Sequence, residues 1–298
     1  MKNPIGMHYG YWSHNWDEIE YIPLIEKVHR LGFDICEVAS AEFAYFSDDK
    51  LRELKQCADD NNIGFTYSIG LEGKYDLASD DASVREAGIR HITRIIESMP
   101  KVGATVLNGV SYAGWQSMPT WGITMDEKRR KEDLSVAGMK QLLKVAEDNG
   151  VLYCCEVVNR FEQYLLNTAE EAVAFMQRLD SPNAKILLDT FHMNIEEDSL
   201  TDAIRSSGKL LGHFHVGEAN RRCPGPNGRF DWAAIGQVLH EIGYEDDVVM
   251  EPFVRMGGQV SQDVALWRDL SGGADEEKLD QDAAASLRWL RGVMEGNN

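Results

Sequence analysis

Four ionisable residues follow apolar runs in the C-terminal half of the chain, where buried strands would end. They are Glu156, Asp189, His215 and Glu251. The intervals between them are 33, 26 and 36 residues, each about the length of one β–α unit. On neighbouring strands of a parallel sheet these side chains would converge, and three carboxylates brought together need a proton or a cation among them.

A divalent metal ion meets that need. Three carboxylates and one imidazole suit a hard to borderline ion such as Mn²⁺, Mg²⁺ or Co²⁺ better than structural zinc, which favours sulfur ligands and a closed tetrahedron. Taken singly, an acidic residue at a strand end is more often a helix cap or a salt bridge. Four in consecutive units favour a metal site, with positions left for substrate oxygens.

The elements that must position these residues alternate along the whole chain. Short apolar or β-branched runs are separated by longer segments of helical periodicity, the pattern of β–α units around a parallel sheet. Eight runs are predicted strands: residues 6–11, 34–38, 64–69, 105–108, 151–158, 185–189, 211–215 and 247–251. No compositional break interrupts the series, so we predict one α/β domain over residues 1–298, folded as a (β/α)₈ TIM barrel.

Two helices are signalled with particular clarity. Thr168, followed three residues later by Glu171, predicts a capping box at a helix start. Near the C-terminus a single apolar stripe predicts a last helix that closes the outer ring, with its core-facing residues at Ala283, Leu287, Leu290 and Met294.

Composition limits the partners and the compartment. The chain has 30 basic and 49 acidic residues and a net charge of −19, so nucleic acid and anionic membranes are not expected to bind. No signal peptide or membrane span is recognisable, and five cysteines without a CxxC pair argue against a disulfide framework. We therefore expect a cytoplasmic protein with reduced thiols.

Two long connections follow strands and are candidate lids or subunit contacts, with plain surface elaboration as the alternative. They span residues 111–128 and 252–281. Within the second, residues 260–273 are the candidate contact surface, with Trp267 at its centre. Four aromatic residues near predicted strand ends or in the first long loop would either cover a substrate or belong to the barrel core: Trp12, Tyr67, Trp115 and Trp121.

Longer motifs make a specific resemblance. The chain resembles the D-tagatose 3-epimerase family of ketose 3-epimerases, which includes the D-psicose (D-allulose) 3-epimerases, in the segments EVVNRFEQYLLNTAEEAVAF, LLDTFHMNIEED, GHFHVGEANRRCPG, VVMEPFVRMGG and WRDLSGGAD. The match covers nearly the whole chain and is strongest over residues 156–275. It implies a TIM barrel of the xylose isomerase-like superfamily, one divalent ion per chain with Mn²⁺ foremost, and a homodimer or homotetramer.

The resemblance also implies roles for single residues. The family's metal ligands fall on Glu156, Asp189, His215 and Glu251, and its two catalytic glutamates on the first and last of these. Its groups for the carbonyl end of the sugar fall on Glu162, His192 and Arg221, and further substrate contacts are expected at His8, Ser68 and Trp115. His8 departs from the family, which carries Phe or Tyr there against the far end of the sugar, so the preferred ketose is left open.

The implied reaction is epimerisation of a free ketose at carbon 3, of the D-tagatose/D-sorbose or D-fructose/D-psicose type. A carboxylate is a weak base for a carbon acid, so a metal that holds the enediolate charge is needed, with Glu156 and Glu251 moving the proton on opposite faces.

The alternatives are another sugar isomerase or a keto-glycoside lyase on the same barrel, and a non-catalytic sugar-binding protein. A DNA-repair endonuclease fits poorly, because such enzymes use a histidine-rich three-metal site and a basic face. Phosphorylated sugars are not excluded by the residues alone.

Overall fold

A computed structural model describes residues 3–119 and 122–294 of the protein. Eight parallel strands form a closed barrel in chain order, with β8 paired to β1, which confirms the predicted fold class. The strands are β1 (Ile5–His8), β2 (Ile35–Ala39), β3 (Gly64–Gly70), β4 (Val106–Val110), β5 (Leu152–Val157), β6 (Ala184–Asp189), β7 (Leu211–Val216) and β8 (Val248–Met250).

Helices surround the barrel because each presents one apolar face to the strands. They are α1 (Tyr21–Leu31), α2 (Ser40–Phe43), α3 (Asp48–Asn61), α4 (Ala82–Val102), α5 (Met125–Asp148), α6 (Ala169–Leu179), α7 (Thr190–Glu196), α8 (Leu200–Ser207), α9 (Trp232–Glu241), α10 (Gly258–Asp263) and α11 (Glu276–Met294). The apolar stripe predicted for the last helix is buried in α11, as expected.

Two local predictions need correction. The first strand ends at His8 rather than Tyr11, because the His8 side chain accepts a hydrogen bond from the Gly10 N–H and starts a 3₁₀ turn. At the start of α6, Thr168 accepts from the Glu171 N–H as predicted, but the Glu171 carboxylate accepts from the Asn167 N–H, so the reciprocal half of the capping box is shifted by one residue.

The two long connections are shorter as loops than the sequence predicted. The first ends at α5, which begins at Met125 behind a capping box of Thr124 and Glu127, and the second contains α10 and ends at α11. The loops meet where the Gln116 side chain donates to the Asp263 carbonyl at 2.6 Å. None of the helices described is both long and apolar enough to cross a membrane.

Candidate active site

The four predicted ligands come together at the carboxyl end of the barrel. Glu156, Asp189 and His215 lie on β5, β6 and β7, and Glu251 follows β8 directly. One ligand atom from each lies within 4.8 Å of the others. The convergence follows from the topology, because neighbouring parallel strands end at the same rim of the barrel.

The donor set fits a metal ion. His215 Nδ1 is buried and has no hydrogen-bond partner among the residues described, and it lies 3.6 Å from Glu251 Oε2 and 4.0 Å from Glu156 Oε1. An unpartnered imidazole nitrogen facing carboxylates is a costly arrangement that a divalent cation would stabilise. These residues therefore suit an ion with oxygen and nitrogen ligands.

Arg221 is the cation nearest to this cluster. Its Nη1 donates to Asp189 Oδ2 at 2.8 Å and to Glu251 Oε2 at 2.7 Å, and its guanidinium stacks 3.9 Å from the Phe191 ring centroid. Its backbone has a φ of 65°, in the left-handed region that favours glycine. Two backbone hydrogen bonds hold this conformation, from the Arg221 N–H to the Glu218 carbonyl and from the Phe253 N–H to the Arg221 carbonyl.

The two glutamates differ in proton affinity. Burial raises the pKa of the Glu156 carboxyl well above its usual range, and the charge of Glu251 raises it further. Burial acts in the same direction on Glu251, but His215 and then Arg221 hold the pKa of Glu251 below its usual range. Two neighbouring carboxyl groups separated in this way can act as acid and base.

A cavity of about 400 Å³ opens above the cluster. Glu156 and Glu251 line it, whereas Asp189 and His215 are only 1% and 0% exposed and form no part of its described lining. The remaining predicted substrate contacts all line it as well: His8, Ser68, Trp115, Glu162, His192 and Arg221. A cavity of this size matches a small-molecule site.

Glu162 and His192 are held by their neighbours at the β5 side of the cavity. The Trp115 Nε1–H donates to Glu162 Oε2 at 3.0 Å, and the Asn159 side chain donates to Glu162 Oε1 at 3.0 Å. His192 Nδ1 accepts from the Asn159 N–H at 3.2 Å, while its Nε2 lies 3.5 Å from Glu156 Oε1. Burial, and then the charge of Arg221, lower the pKa of His192 to about 3. His192 is therefore neutral at pH 7.

Comparison with known proteins agrees with this geometry. A family model described as a xylose isomerase-like TIM barrel matches residues 25–292. The chain is 45% identical to a D-psicose 3-epimerase of Ruminiclostridium cellulolyticum, over 97% of each chain, and 44% identical to a D-psicose 3-epimerase of Agrobacterium fabrum, over 98% of this chain and 99% of that one. The solved structure of D-psicose 3-epimerase with D-tagatose from Clostridium cellulolyticum H10 superposes with a TM-score of 0.94 at 44% identity, covering 98% of this chain and 99% of that chain. The chain is a ketose 3-epimerase family member.

His8 lines the cavity and also lies close to Glu251. Its Nε2 lies 3.9 Å from Glu251 Oε1, beside a predicted catalytic group. Its Nδ1 accepts from the Gly10 N–H, so the neutral ring carries its hydrogen on Nε2. Burial lowers the pKa of His8, and the ring is therefore a neutral donor that faces the Glu251 side of the cavity.

The aromatic lining was predicted only in part. Trp115 lines the cavity, but Trp12 and Tyr67 do not: the Trp12 Nε1–H donates to Asp280, and the buried Tyr67 ring packs 5.2 Å from Phe43. Trp121 lies outside the described residues. Three aromatic lining residues were missed, namely Tyr9, Trp16 and Phe253.

These omissions have a physical cause. Aromatic residues in a barrel pack equally well in the core and at the mouth, so residue type alone does not separate the two. The remaining signal was the cluster of aromatic residues just after the first strand, from Tyr9 to Trp16. Acidic residues at the opposite rim, Asp17, Glu42 and Glu72, were also missed.

Proposed function

We propose that this protein epimerises free ketoses at carbon 3, of the D-tagatose/D-sorbose or D-fructose/D-psicose type. One observation carries the proposal: of the four converging metal-ligand candidates, the described lining of the cavity includes only the two glutamates. A sugar in the cavity would contact Glu156 and Glu251 directly, whereas Asp189 and His215 would act as ion ligands only. Relatives named D-psicose 3-epimerase support the same reaction class.

Epimerisation needs a proton taken from one face of carbon 3 and returned to the other. We assign these two steps to Glu156 and Glu251, which exchange the roles of base and acid with the direction of the reaction. A divalent ion, when bound, supplies Lewis-acid stabilisation of the negative charge on the sugar oxygens. Each glutamate would hold the ion through one carboxylate oxygen and would use the other to move the proton between itself and carbon 3 of the cis-enediolate.

The carbonyl end of the sugar is assigned to Glu162, His192 and Arg221. The buried guanidinium of Arg221 offers a planar donor fork, and neutral His192 can donate or accept at one nitrogen. Glu162 is already held by Trp115 and Asn159, so it accepts from a sugar hydroxyl without a large loss of side-chain entropy. His8 and Ser68 are assigned to hydroxyls farther along the chain of the sugar.

Mn²⁺ is the ion we propose, with Co²⁺ or Mg²⁺ as substitutes. The candidate ligands are three carboxylates and one imidazole, a set that suits these ions, and none of them is a cysteine. A dialysed protein titrated with each ion, with affinity measured by calorimetry, ranks them directly.

A free sugar fits the cavity better than a phosphorylated one. Arg221 is the one basic residue among the described lining residues other than histidine, and it is already paired with Asp189 and Glu251. At the opposite rim Lys74 pairs with Glu72, which leaves the charges of Asp17 and Glu42 facing an incoming substrate. A sugar phosphate would be repelled at this rim.

We further propose a homodimer or homotetramer that assembles through residues 260–273. Trp267 is 71% exposed there, and Val264 from the same segment lines the cavity. An exposed tryptophan is typical of a protein interface. Light scattering of the wild type and of Trp267→Asp tests this, since a partnered surface predicts dissociation of the variant.

The proposed location is the cytoplasm. All five cysteines are free, and three of them are buried: Cys36, Cys154 and Cys155. Unpaired thiols are typical of a reducing compartment.

Proton exchange tests the proposed reaction. The protein is incubated in D₂O with Mn²⁺ and a panel of free ketohexoses and ketopentoses, with and without chelator, and the sugars are examined by NMR and chromatography. We expect loss of the carbon-3 proton signal together with formation of the 3-epimer, and neither with chelator present. Exchange at another carbon would indicate a different isomerase, cleavage a lyase, and binding without exchange a sugar-binding protein.

A further inference from the structure

A buried carboxylate lies inside the barrel below the proposed metal site. Glu37 is on β2, is 0% exposed, and does not belong to the described lining of the cavity. A carboxylate removed from water is strongly destabilising unless it is paired and hydrogen-bonded. Its partners therefore indicate what it does.

One oxygen of this carboxylate is fully used by hydrogen bonds from three other strands. Glu37 Oε2 accepts from Asn108 Nδ2 at 2.6 Å, from Thr66 Oγ1 at 2.8 Å and from His213 Nε2 at 2.9 Å. These donors lie on β4, β3 and β7, so the orientation of the carboxylate is set by the closed barrel.

The other oxygen faces a metal-ligand candidate. Glu37 Oε1 lies 2.8 Å from His215 Nε2, and both residues are completely buried. The contact is too bent for a regular hydrogen bond, and neither atom has another hydrogen-bond partner among the residues described. An Nε2–H directed at this carboxylate leaves the lone pair on Nδ1. Nδ1 is the atom that faces Glu156 and Glu251. A carboxylate behind a metal-binding histidine commonly sets the tautomer and the ring orientation in this way.

Glu37, His213 and His215 also have the spacing of a metal site of their own, with ligand atoms within 4.8 Å. The hydrogen bonds argue against an ion there. Oε2 already accepts hydrogens from an amide, a hydroxyl and an imidazole. A neutral His215 whose Nδ1 holds the ion above it would carry its hydrogen on Nε2, which leaves no lone pair there for a second ion. This second cluster is better explained as a support for the first.

We propose that Glu37 is a positioning residue for the metal centre, which holds His215 with Nδ1 directed at the ion and so strengthens divalent-ion binding without touching ion or sugar. The inference rests on the metal site of the proposed function, but not on the reaction. It predicts that the affinity for the ion falls when Glu37 loses its charge, while the cavity above is unchanged.

The test uses Glu37→Gln, which keeps the size and removes the charge. We expect Mn²⁺ binding, measured without sugar by EPR of the free ion, to weaken about 10–100-fold. Turnover should recover at saturating Mn²⁺, since the reacting groups remain in place. Thr66→Val is the matched control: it removes one Oε2 donor but keeps the carboxylate against His215, so its Mn²⁺ affinity should change much less.

A spectroscopic signature separates positioning from a general structural role. In wild-type protein labelled with ¹⁵N-histidine and saturated with diamagnetic Mg²⁺, NMR should show His215 with its hydrogen on Nε2, and a hydrogen on Nδ1 would overturn the proposal. Wild-type affinity in Glu37→Gln, or an equal loss in Thr66→Val, would also overturn it. If Glu37→Gln does not fold, the proposal is tested by the His215 tautomer of the wild type and by the Mn²⁺ affinity of Glu37→Asp. This variant withdraws the carboxylate by one methylene, so its Mn²⁺ binding should be weaker.

The outcome is distinguishable from failure of the proposed reaction. A wild-type protein that binds Mn²⁺ and shows the expected tautomer, but exchanges no ketose proton, would contradict the reaction and support the role of Glu37. If Glu37→Gln loses carbon-3 exchange and added Mn²⁺ does not restore it, the positioning role of Glu37 is contradicted, but the proposed reaction is not.

Discussion

The two sides of the cavity differ in character. The side formed by β5 to β8, here called the ligand wall, carries Glu156, Asp189, His215, Arg221 and Glu251, all charged or ionisable and all buried. The side formed by β1 to β4, here called the contact wall, carries rings and small polar groups together with an acidic rim, and its main lining residues inside that rim are His8, Tyr9, Trp16, Ser68 and Trp115. The ligand wall supplies the chemistry, and the contact wall supplies the shape around the sugar.

This difference shows which residues can be assigned to the functional site from the sequence alone. A charge at the end of an apolar strand is costly unless it has a function, so its position is informative. A ring at a strand end is stable in either the core or the cavity. Substitutions on the two walls should accordingly differ in kind, with turnover lost on one and substrate binding altered on the other.

The largest effect is expected at the two glutamates of the ligand wall. Glu156→Gln and Glu251→Gln should each lower kcat by about 10²–10⁴-fold or more, because each removes a group that moves a proton. Steady-state kinetics at saturating Mn²⁺ measures this. Glu132→Gln, on α5 and paired with Arg178, is the matched control and should keep wild-type turnover. Near wild-type kcat in either active-site variant would contradict the two-face scheme.

A second large effect is expected at Asp189. Asp189→Asn removes one anionic ligand, so the Mn²⁺ concentration for half-maximal activity should rise by at least about 100-fold. Titration of chelator-treated protein with Mn²⁺ gives this value, and the chelator-treated protein should be inactive before Mn²⁺ is added. Asp180→Asn at the end of α6 controls for loss of an aspartate at the surface. Unchanged metal dependence in Asp189→Asn would remove Asp189 from the ligand set.

The contact wall should respond in KM. Trp16 and Trp12 each donate an indole hydrogen bond to an aspartate at 2.8 Å, but Trp16 lines the cavity and Trp12 does not. Trp16→Phe should raise KM for a ketose roughly 2–10-fold with little change in kcat, since part of one aromatic contact is lost.

Trp12→Phe is the control for that experiment and should leave KM unchanged. Equal effects of the two substitutions would mean that Trp16 acts through loop stability rather than through the substrate. A fall in kcat of Trp16→Phe without a change in KM would contradict the assignment of substrate binding to the contact wall and turnover to the ligand wall.

The smallest effect is expected from the acidic rim of the contact wall. Asp17→Asn should leave the kinetics of neutral ketoses unchanged and improve kcat/KM for a ketose phosphate about twofold at low salt, because one exposed charge about 10 Å away in water is worth under 1 kcal/mol. Glu18→Gln, one residue along and outside the described lining, is the control. An equal gain from both variants would indicate net charge rather than position at the rim.

The sequence by itself determined the barrel and the convergence of the four strand-end residues of the ligand wall. Periodicity is local, so eight β–α units are visible in the chain, and strand-end charges at regular intervals converge whenever the strands are parallel neighbours. The strand ends were less certain: β1 stops at His8 because the side chain of that residue bonds to the next turn.

Only the tertiary structure decided which aromatic rings face the cavity and which buried residues contact the metal-ligand candidates from inside the barrel. Glu37 and His213 are separated by 176 residues and meet because closure of the barrel places their side chains together in its interior. The single charged residue in the apolar run Ile35–Ala39 could have marked Glu37 as functionally important, but nothing in the sequence indicated which residues it contacts. Contacts between strands that are distant in the chain depend on closure and packing, which no local pattern encodes.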